Sequence, residues 1–330
     1  PMRFKVICRV GSYHGATHFC MTLGRGSVAH PEDYGPLFMG TYNTSQPYQY
    51  RCHHCQEDGQ CNLKCAYDVD RVIEAEGPEQ VAAFIGEPIS AAADVAVPHP
   101  DYWATIREIC DKHGVLLIMD EVITGFRLSK GGAQERWGLD PDITTMAKIM
   151  AGGQPGAAVG GKKHVMDVMA KTGDPIHDSS KRVAQAGTYN AQPTAAVAGI
   201  AHLDDIWNTD VIERADSAAL RLKEGINDAF AKNEITGHAH GISSLVQVNM
   251  GYDCDCDRNI CTMPFNEIYR SMPNEKTGAL KRAVLVNGAD GMDWNGMCFV
   301  VSSAHTDDVV DRTLEGFDQA LKDLRTDGIV

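Results

Sequence analysis

The sequence predicts an α/β protein built on a mostly parallel, buried sheet, with a smaller α+β portion at the C-terminal end. Three observations carry this. Short apolar runs of strand length alternate with amphipathic segments of about ten residues from Val69 onward. The two clearest runs, Val81–Ile85 and Val115–Met119, are apolar throughout instead of alternating, as strands covered on both faces are. After about residue 208 the rhythm changes to helix, strand and helix.

The elements follow in order. Lys5–Arg9 reads as a short strand entering a glycine-marked turn at Tyr13-His14-Gly15. From Leu23 to about Tyr50 the chain is rich in Gly, Pro, Tyr and Asn without helical periodicity, which predicts a long loop. A cysteine cluster, Cys52 to Cys65, comes next. Asp68–Glu76 is predicted helical, Val81–Ile85 a strand ending at Glu87-Pro88, and Tyr102–Lys112 a helix stopped by Gly114. Val115–Met119 is a strand ending in Asp120-Glu121. The turn after it, Val122 to Phe126, lacks the signature of a helix cap. Helices are predicted from Pro193 to about Trp207 and from about Val211 to Lys232. A last helix starts at Thr306, with Val310, Leu314, Phe317, Leu321 and Leu324 at helical spacing. The expected division is residues 1–207 for a larger domain and 208–330 for a smaller one.

Composition narrows the function. Apolar residues at 43% and charged residues at 22% are ordinary globular usage, so disorder is excluded as the dominant state. A net charge of −14 disfavours nucleic acid and anionic lipid as partners. No apolar run reaches the ~18–20 residues that span a bilayer, because Glu87, Asp94, Asp120 and Glu121 interrupt the best candidates. Residues 1–10 hold no secretory pattern, and eleven cysteines in a chain of this length fit free thiols in a reducing compartment, so a cytoplasmic location is expected.

Ligands of open parallel sheets bind beyond the carboxyl ends of the strands. Glu87 and Asp120 stand at two such ends, although an acid after a strand is more often a turn or cap residue. Lys148 follows Asp120 by 28 residues, among apolar and small neighbours in TTMAKIMAGG. A lysine so placed either snorkels from a packed segment or is desolvated, and desolvation lowers an amine's pKa enough to make it a nucleophile at neutral pH.

The segment MDEVITGFRLSKGGAQERWGLDPDITTMAKIMAGGQPGAAVGG resembles the pyridoxal-phosphate segment of the class III aminotransferases, of fold type I. It is especially similar to the glutamate-1-semialdehyde aminomutase and ω-amine transaminase branch. The resemblance continues through QAGTYNAQPTAAVAGIAHLDDI and VSSAHTDDVVDRTLEGFDQAL, covering most of the chain from about Tyr13. It implies a three-layer α/β/α large domain, pyridoxal 5′-phosphate as cofactor, and Lys148 as the residue that forms the Schiff base and then carries protons. Asp120 is implied to pair with the pyridine nitrogen, which keeps the ring an electron sink. Val122 and Tyr13 match residues flanking the ring, His14 lies beside Tyr13, and Glu87 resembles a glutamate close to the phenolate side. Thr188 matches a threonine reaching the neighbouring subunit's cofactor phosphate, which implies a homodimer.

What the resemblance implies for activity is a ping-pong aminotransferase with an amine or ω-amino donor and a 2-oxo acid acceptor. An intramolecular aminomutase and a non-catalytic scaffold of the same fold are the alternatives. The family also carries a segment before the Tyr-His-Gly turn that holds the phosphate at a helix N-terminus. Residues 1–12 do not supply it, so a longer parent protein is expected. No arginine occurs in the stretch Gly296–His305, where many relatives grip a substrate carboxylate. Cys52, Cys55, Cys61 and Cys65, with His53 and His54, could close a zinc site, but their spacing is not that of matched pairs and a thiol-rich loop is the preferred reading. Cys254, Cys256 and Cys261 read as a solvated loop, and His305 as a packing or capping residue beside Thr306.

Overall fold

Apolar strand runs with short helical connections leave the chain one economical solution, a parallel sheet with helices packed on it. The computed structural model describes residues 2–24, 35–47, 61–251, 274–292 and 296–330. Its first half runs β1 (Lys5–Arg9), α1 (His18–Gly24), β2 (Thr41–Thr44), α2 (Lys64–Glu76), β3 (Val81–Gly86), α3 (Tyr102–His113), β4 (Leu116–Asp120) and α4 (Gly132–Trp137). Then come β5 (Ile143–Ala147), a short 3-10 turn (Lys148–Ala151), β6 (Ala157–Gly161) and α5 (Lys163–Met166). The second half holds α6 (Pro193–Asn208), α7 (Val211–Lys232), β7 (Gly237–His240), β8 (Leu245–Met250), α8 (Asn274–Val286), β9 (Met297–Val300) and α9 (Asp307–Thr326).

Six strands form the main sheet in the order β2-β1-β3-β4-β5-β6. All pairs are parallel except β5–β6, which is antiparallel. The consequence for function is direct: β1, β3, β4 and β5 are consecutive neighbours pointing the same way. Their carboxyl ends therefore line up along one edge, with adjacent strands about 4.8 Å apart. Helices α2 and α3 seal one face. Val69, Val72 and Ile73 of α2 and Tyr102, Trp103, Ile106 and Ile109 of α3 pack on Ile7, Phe84 and Leu117. Burial of each large aliphatic side chain contributes about 1.5–3 kcal/mol. Gly114, at φ +62°, closes α3 in the left-handed conformation as its position predicts.

A separate antiparallel sheet, β7-β8-β9, lies against α7 and α9. Leu222, Ile226 and Phe230 of α7 meet Val246 and Val248 of the sheet and Phe317, Leu321 and Leu324 of α9. A third apolar group joins the halves, with Ile89, Val95, Val97, Leu128 and Ala133 packing on Leu245 and Cys298.

Two expectations need correction. The stretch from Leu23 to Tyr50 is not loop throughout, because Thr41–Thr44 forms β2 and pairs in parallel with β1. Its Thr-Tyr-Asn-Thr composition suits a strand, but only the pairing with β1 distinguishes it from its loop surroundings. Helix α2 starts at Lys64, four residues earlier than expected, which places Cys65 on the helix's buried face beside Val69 and not in a thiol-rich loop. Cys52, Cys55, His53, His54, Cys254, Cys256 and Cys261 lie outside the described residues. No helix among the described residues is long and apolar enough to cross a membrane.

Candidate active site

The aligned strand ends bring distant parts of the sequence to one cavity of about 480 Å³, within the ordinary range for small-molecule sites. It is lined by Tyr13, His14 and Gly15 after β1, Glu87 with Ala91 and Ala92 after β3, Asp120, Val122 and Ile123 after β4, and Lys148 after β5. Six of the seven residues singled out from the sequence thus share one wall system. Thr188 does not line the cavity and is exposed.

Asp120 is the last residue of β4, and its carboxylate is fixed from two sides. One oxygen accepts the Val122 backbone N–H at 3.0 Å. The other lies 2.7 Å from Nδ1 of His14. The neighbouring carboxylate has a different task. Glu121 turns away to accept the backbone N–H groups of Ala133 and Gln134 at the start of α4, so it is a cap and not a cavity residue.

His14 is nearly inaccessible, and burial alone would lower its pKa. The carboxylates of Glu87 and Asp120 outweigh that and push it well above its ordinary value, so the ring is an imidazolium and Nδ1–H donates to Asp120. Its Nε2 is buried without a hydrogen-bond partner, with the nearest anion, a Glu87 oxygen, 4.0 Å away.

Glu87 is buried beneath the cavity. Burial would raise its pKa, yet the charges of His14 and Arg9 and the Tyr13 backbone N–H hold it down to about 2. Oε1 accepts from the Tyr13 N–H at 3.0 Å and from the Ser90 hydroxyl at 3.3 Å, and Oε2 pairs with Arg9 at 2.9 Å. The same bond to Tyr13 anchors the backbone of the aromatic residue at the cavity mouth.

Lys148 opens the 3-10 turn after β5 with φ +54°, a left-handed conformation that costs a non-glycine residue about 1–2 kcal/mol. Strain of this kind gathers at functional positions. The residue is accessible because the cavity is open, yet its amine is desolvated enough that burial, with help from the Arg127 charge, lowers its pKa against the pull of Asp120.

Arg9 was not singled out from the sequence. It is fully buried, donates to the Glu87 carbonyl at 2.6 Å as well as to its carboxylate, and stacks its guanidinium 5.3 Å from the Trp103 ring. The signal available was a lone arginine closing the otherwise apolar run Val6-Ile7-Cys8. Arg127 is the other unannounced cation. Its Nη1 reaches the Ser244 hydroxyl at 2.7 Å and its Nε the Ile123 carbonyl at 3.1 Å, tying the Asp120 turn to the second sheet.

The family model "Aminotransferase class-III" matches residues 1–267. Glutamate-1-semialdehyde 2,1-aminomutase 2 of Brevibacillus brevis is 37% identical over 257 residues, 77% of this chain and 55% of that protein. The glutamate-1-semialdehyde 2,1-aminomutase of Syntrophobacter fumaroxidans is 40% identical over 178 residues, 54% of this chain and 39% of its own. The chain therefore spans about half the length of the curated relatives it matches. Among solved structures, a Bacillus anthracis aminotransferase superposes with a TM-score of 0.81 over 97% of this chain and 70% of that one, at 24% identity. An amine transaminase from an uncultivated Pseudomonas species, solved in a PLP-bound form, gives 0.80 over the same shares at 24% identity. At that identity the superpositions establish the fold alone.

Proposed function

This chain belongs to the class-III aminotransferase family, and from that premise we propose that it is a pyridoxal-phosphate-dependent aminotransferase. It moves an amino group from an amine or ω-amino donor to a 2-oxo acid by two successive half reactions. The observation that carries this reading is the meeting of the Asp120 carboxylate and the Lys148 amine in one cavity.

The residues present fit the ring of such a cofactor. A carboxylate accepts about four hydrogen bonds, and Asp120 has two donors in place, leaving it able to take a ring N–H. Val122 and Tyr13 offer an apolar and an aromatic surface beside it. Lys148 would hold the aldehyde carbon and Asp120 the pyridinium. When bound, the group supplies an electron sink for carbanion chemistry. The chain's own residues supply the rest. Burial lowers the pKa of Lys148, which favours the neutral amine that can take a proton from the donor carbon and return one elsewhere. Ala91, Ala92 and Ile123 give the cavity an apolar stretch of lining.

Thr188 belongs to the proposal through a second copy of the chain. Within twelve residues of the exposed threonine in sequence, Val183, Tyr189, Val197 and Ile200 are all more than half exposed. Such an apolar surface suits a homodimer, with Thr188 serving the neighbour's site.

The two aminomutase relatives favour a second reading, exchange of amino and oxo groups within one substrate. Titration with pyridoxal 5′-phosphate, followed by assay of amine donors with and without pyruvate or 2-oxoglutarate, separates the possibilities. Turnover that requires the oxo acid supports the transaminase, and turnover without it supports the aminomutase. A full-length protein that binds no cofactor sinks both and leaves a scaffold. Lys148→Ala with undiminished activity removes the assigned role of the lysine.

A further inference from the structure

Four charged groups follow one another at the cavity wall: Arg9, Glu87, His14 and Asp120. The first two are 2.9 Å apart and the last two 2.7 Å, but the middle pair, Glu87 Oε2 and His14 Nε2, stand 4.0 Å apart. That gap is unexpected. A buried imidazole nitrogen without a partner and an ionised carboxylate at such range attract each other strongly, and closing the gap takes a movement of about 1 Å to reach hydrogen-bond distance. Something restrains Glu87. Its Oε1 is engaged by Tyr13 and Ser90, and its Oε2 and carbonyl oxygen are both claimed by the Arg9 guanidinium.

We propose that Arg9 is a positioning residue that holds Glu87 off His14, so that of the two carboxylates only Asp120 bonds the imidazole. Arg9 suits this task because it is fully buried, donates from Nη2 to both the carbonyl and the carboxylate of Glu87, and lies over the Trp103 ring. Among the described residues, the titratable groups acting on His14 are Cys8 from β1, Glu87 from the end of β3 and Asp120 from β4; Arg9 stands behind Glu87, and the Lys148 amine is coupled to Asp120. Arg9 and His14 stand against the two carboxylates, and the Val122 N–H and His14 Nδ1 hold Asp120 in a fixed orientation. Without Arg9 the carboxylate of Glu87 becomes the better partner for Nε2, and the ring tilts off Asp120.

This deepens the reading of Asp120 as the partner of the cofactor ring. Its primary readout needs no cofactor, so the two can fail separately. The experiment records the His14 Nδ1 proton and both ring nitrogens by NMR of the ¹⁵N-histidine-labelled full chain, before and after addition of pyridoxal 5′-phosphate. In the wild type the Nδ1 proton is expected far downfield, as in a short charged bond. In Arg9→Met it moves upfield while an Nε2–H bond appears, and cofactor affinity falls roughly 10-fold, as for partners one shell out from a bound metal. Arg9→Gln keeps a donor for the Glu87 carbonyl and carries the same test if Arg9→Met does not fold. The double variant Arg9→Met/Glu87→Gln removes both the restraint and the competitor, and is expected to restore the downfield proton. A general loss of packing would not be rescued in this way. A folded Arg9 variant with the wild-type Nδ1 resonance, or a double variant that fails to regain it, overturns the proposal.

Discussion

His14 Nδ1 lies 2.7 Å from a carboxylate oxygen of Asp120, although 106 residues separate them in sequence. The bond exists because β1 and β4 flank β3 in the sheet, so the turn after one and the end of the other arrive at the same edge. It makes the strand-end aspartate part of a buried ion pair and ties its orientation to the Tyr-His-Gly turn.

The first prediction concerns that aspartate. Asp120→Asn keeps the shape and the Val122 N–H bond but removes the negative charge from the cavity floor. Turnover is expected to fall by about 10²–10⁴-fold, the scale at which removal of one positioned acid–base or electrostatic group acts. His14 loses a counter-charge, so its pKa should drop, measurable by NMR titration. Near wild-type turnover in a folded, cofactor-loaded variant would remove Asp120 from the mechanism.

Glu87 leads to a prediction about acid stability. Its folded pKa is about 2 against 4.5 for the free side chain. The depressed value means the unfolded chain binds the proton more readily. The stabilisation is therefore complete above pH ~4.5 and is lost as pH falls toward ~2, on the order of 3 kcal/mol in all. Chemical denaturation at several pH values in that window should show stability falling steeply as acid is added. In Glu87→Gln the same interval should be flatter, and an unchanged slope would contradict the assignment.

Much of this site was legible in the sequence. Asp120 closes an apolar run that reads as a buried strand, and parallel strands deliver their carboxyl ends to one edge; Lys148 was joined to it by the family resemblance, since β5, Ile-Thr-Thr-Met-Ala, carries no continuous apolar signal. Other features depend on contacts between distant residues. Arg9 looks like the last residue of a strand until its partner, 78 positions away, is known. Asp120 and Glu121 are chemically alike, and only strand alternation decides that one meets the cavity and the other caps α4. The four residues of β2 have no periodicity to report and become a strand by pairing with β1. Thr188 has a role only if a second chain is present, and one sequence cannot display that partner.

Arg127 supplies a prediction with a definite sign. Its charge helps to depress the Lys148 amine, and its guanidinium joins the Asp120 turn to Ser244. Arg127→Met should raise the pKa of Lys148 and move the rising limb of the rate–pH profile to higher pH. It should also cost about 1–3 kcal/mol, from the loss of hydrogen bonds made by a charged donor. Lysine is a poor substitute, because a single ammonium cannot reach Ile123 and Ser244 together. Arg127→Lys should therefore keep the pH profile closer to wild type while losing much of the stability. Identical losses in both properties for the two variants would show that charge and tether are not separable.

Gly152 determines how the lysine turn is seated. It closes the Lys148–Ala151 turn at φ +57°, and a Cβ there would lie 2.4 Å from the Ala198 carbonyl oxygen of α6. Neither backbone can yield cheaply. Ala198 is interior to a four-turn helix, and the glycine conformation is one that other residues adopt at a cost. At the next residue of α6, Gly199, a Cβ would lie 2.7 Å from the Met150 carbonyl oxygen, so both glycines serve the same close approach. Gly152→Ala is expected to push the turn off α6, destabilise the fold by about 1–3 kcal/mol and displace the Lys148 amine. A 1 Å misplacement of a reacting group is worth about 10²-fold in rate. Turnover in the variant should therefore drop much further than its thermal midpoint suggests. The check is to compare residual activity with the folded fraction at one temperature, and activity that merely tracks the folded fraction would refute a positioning role for this contact.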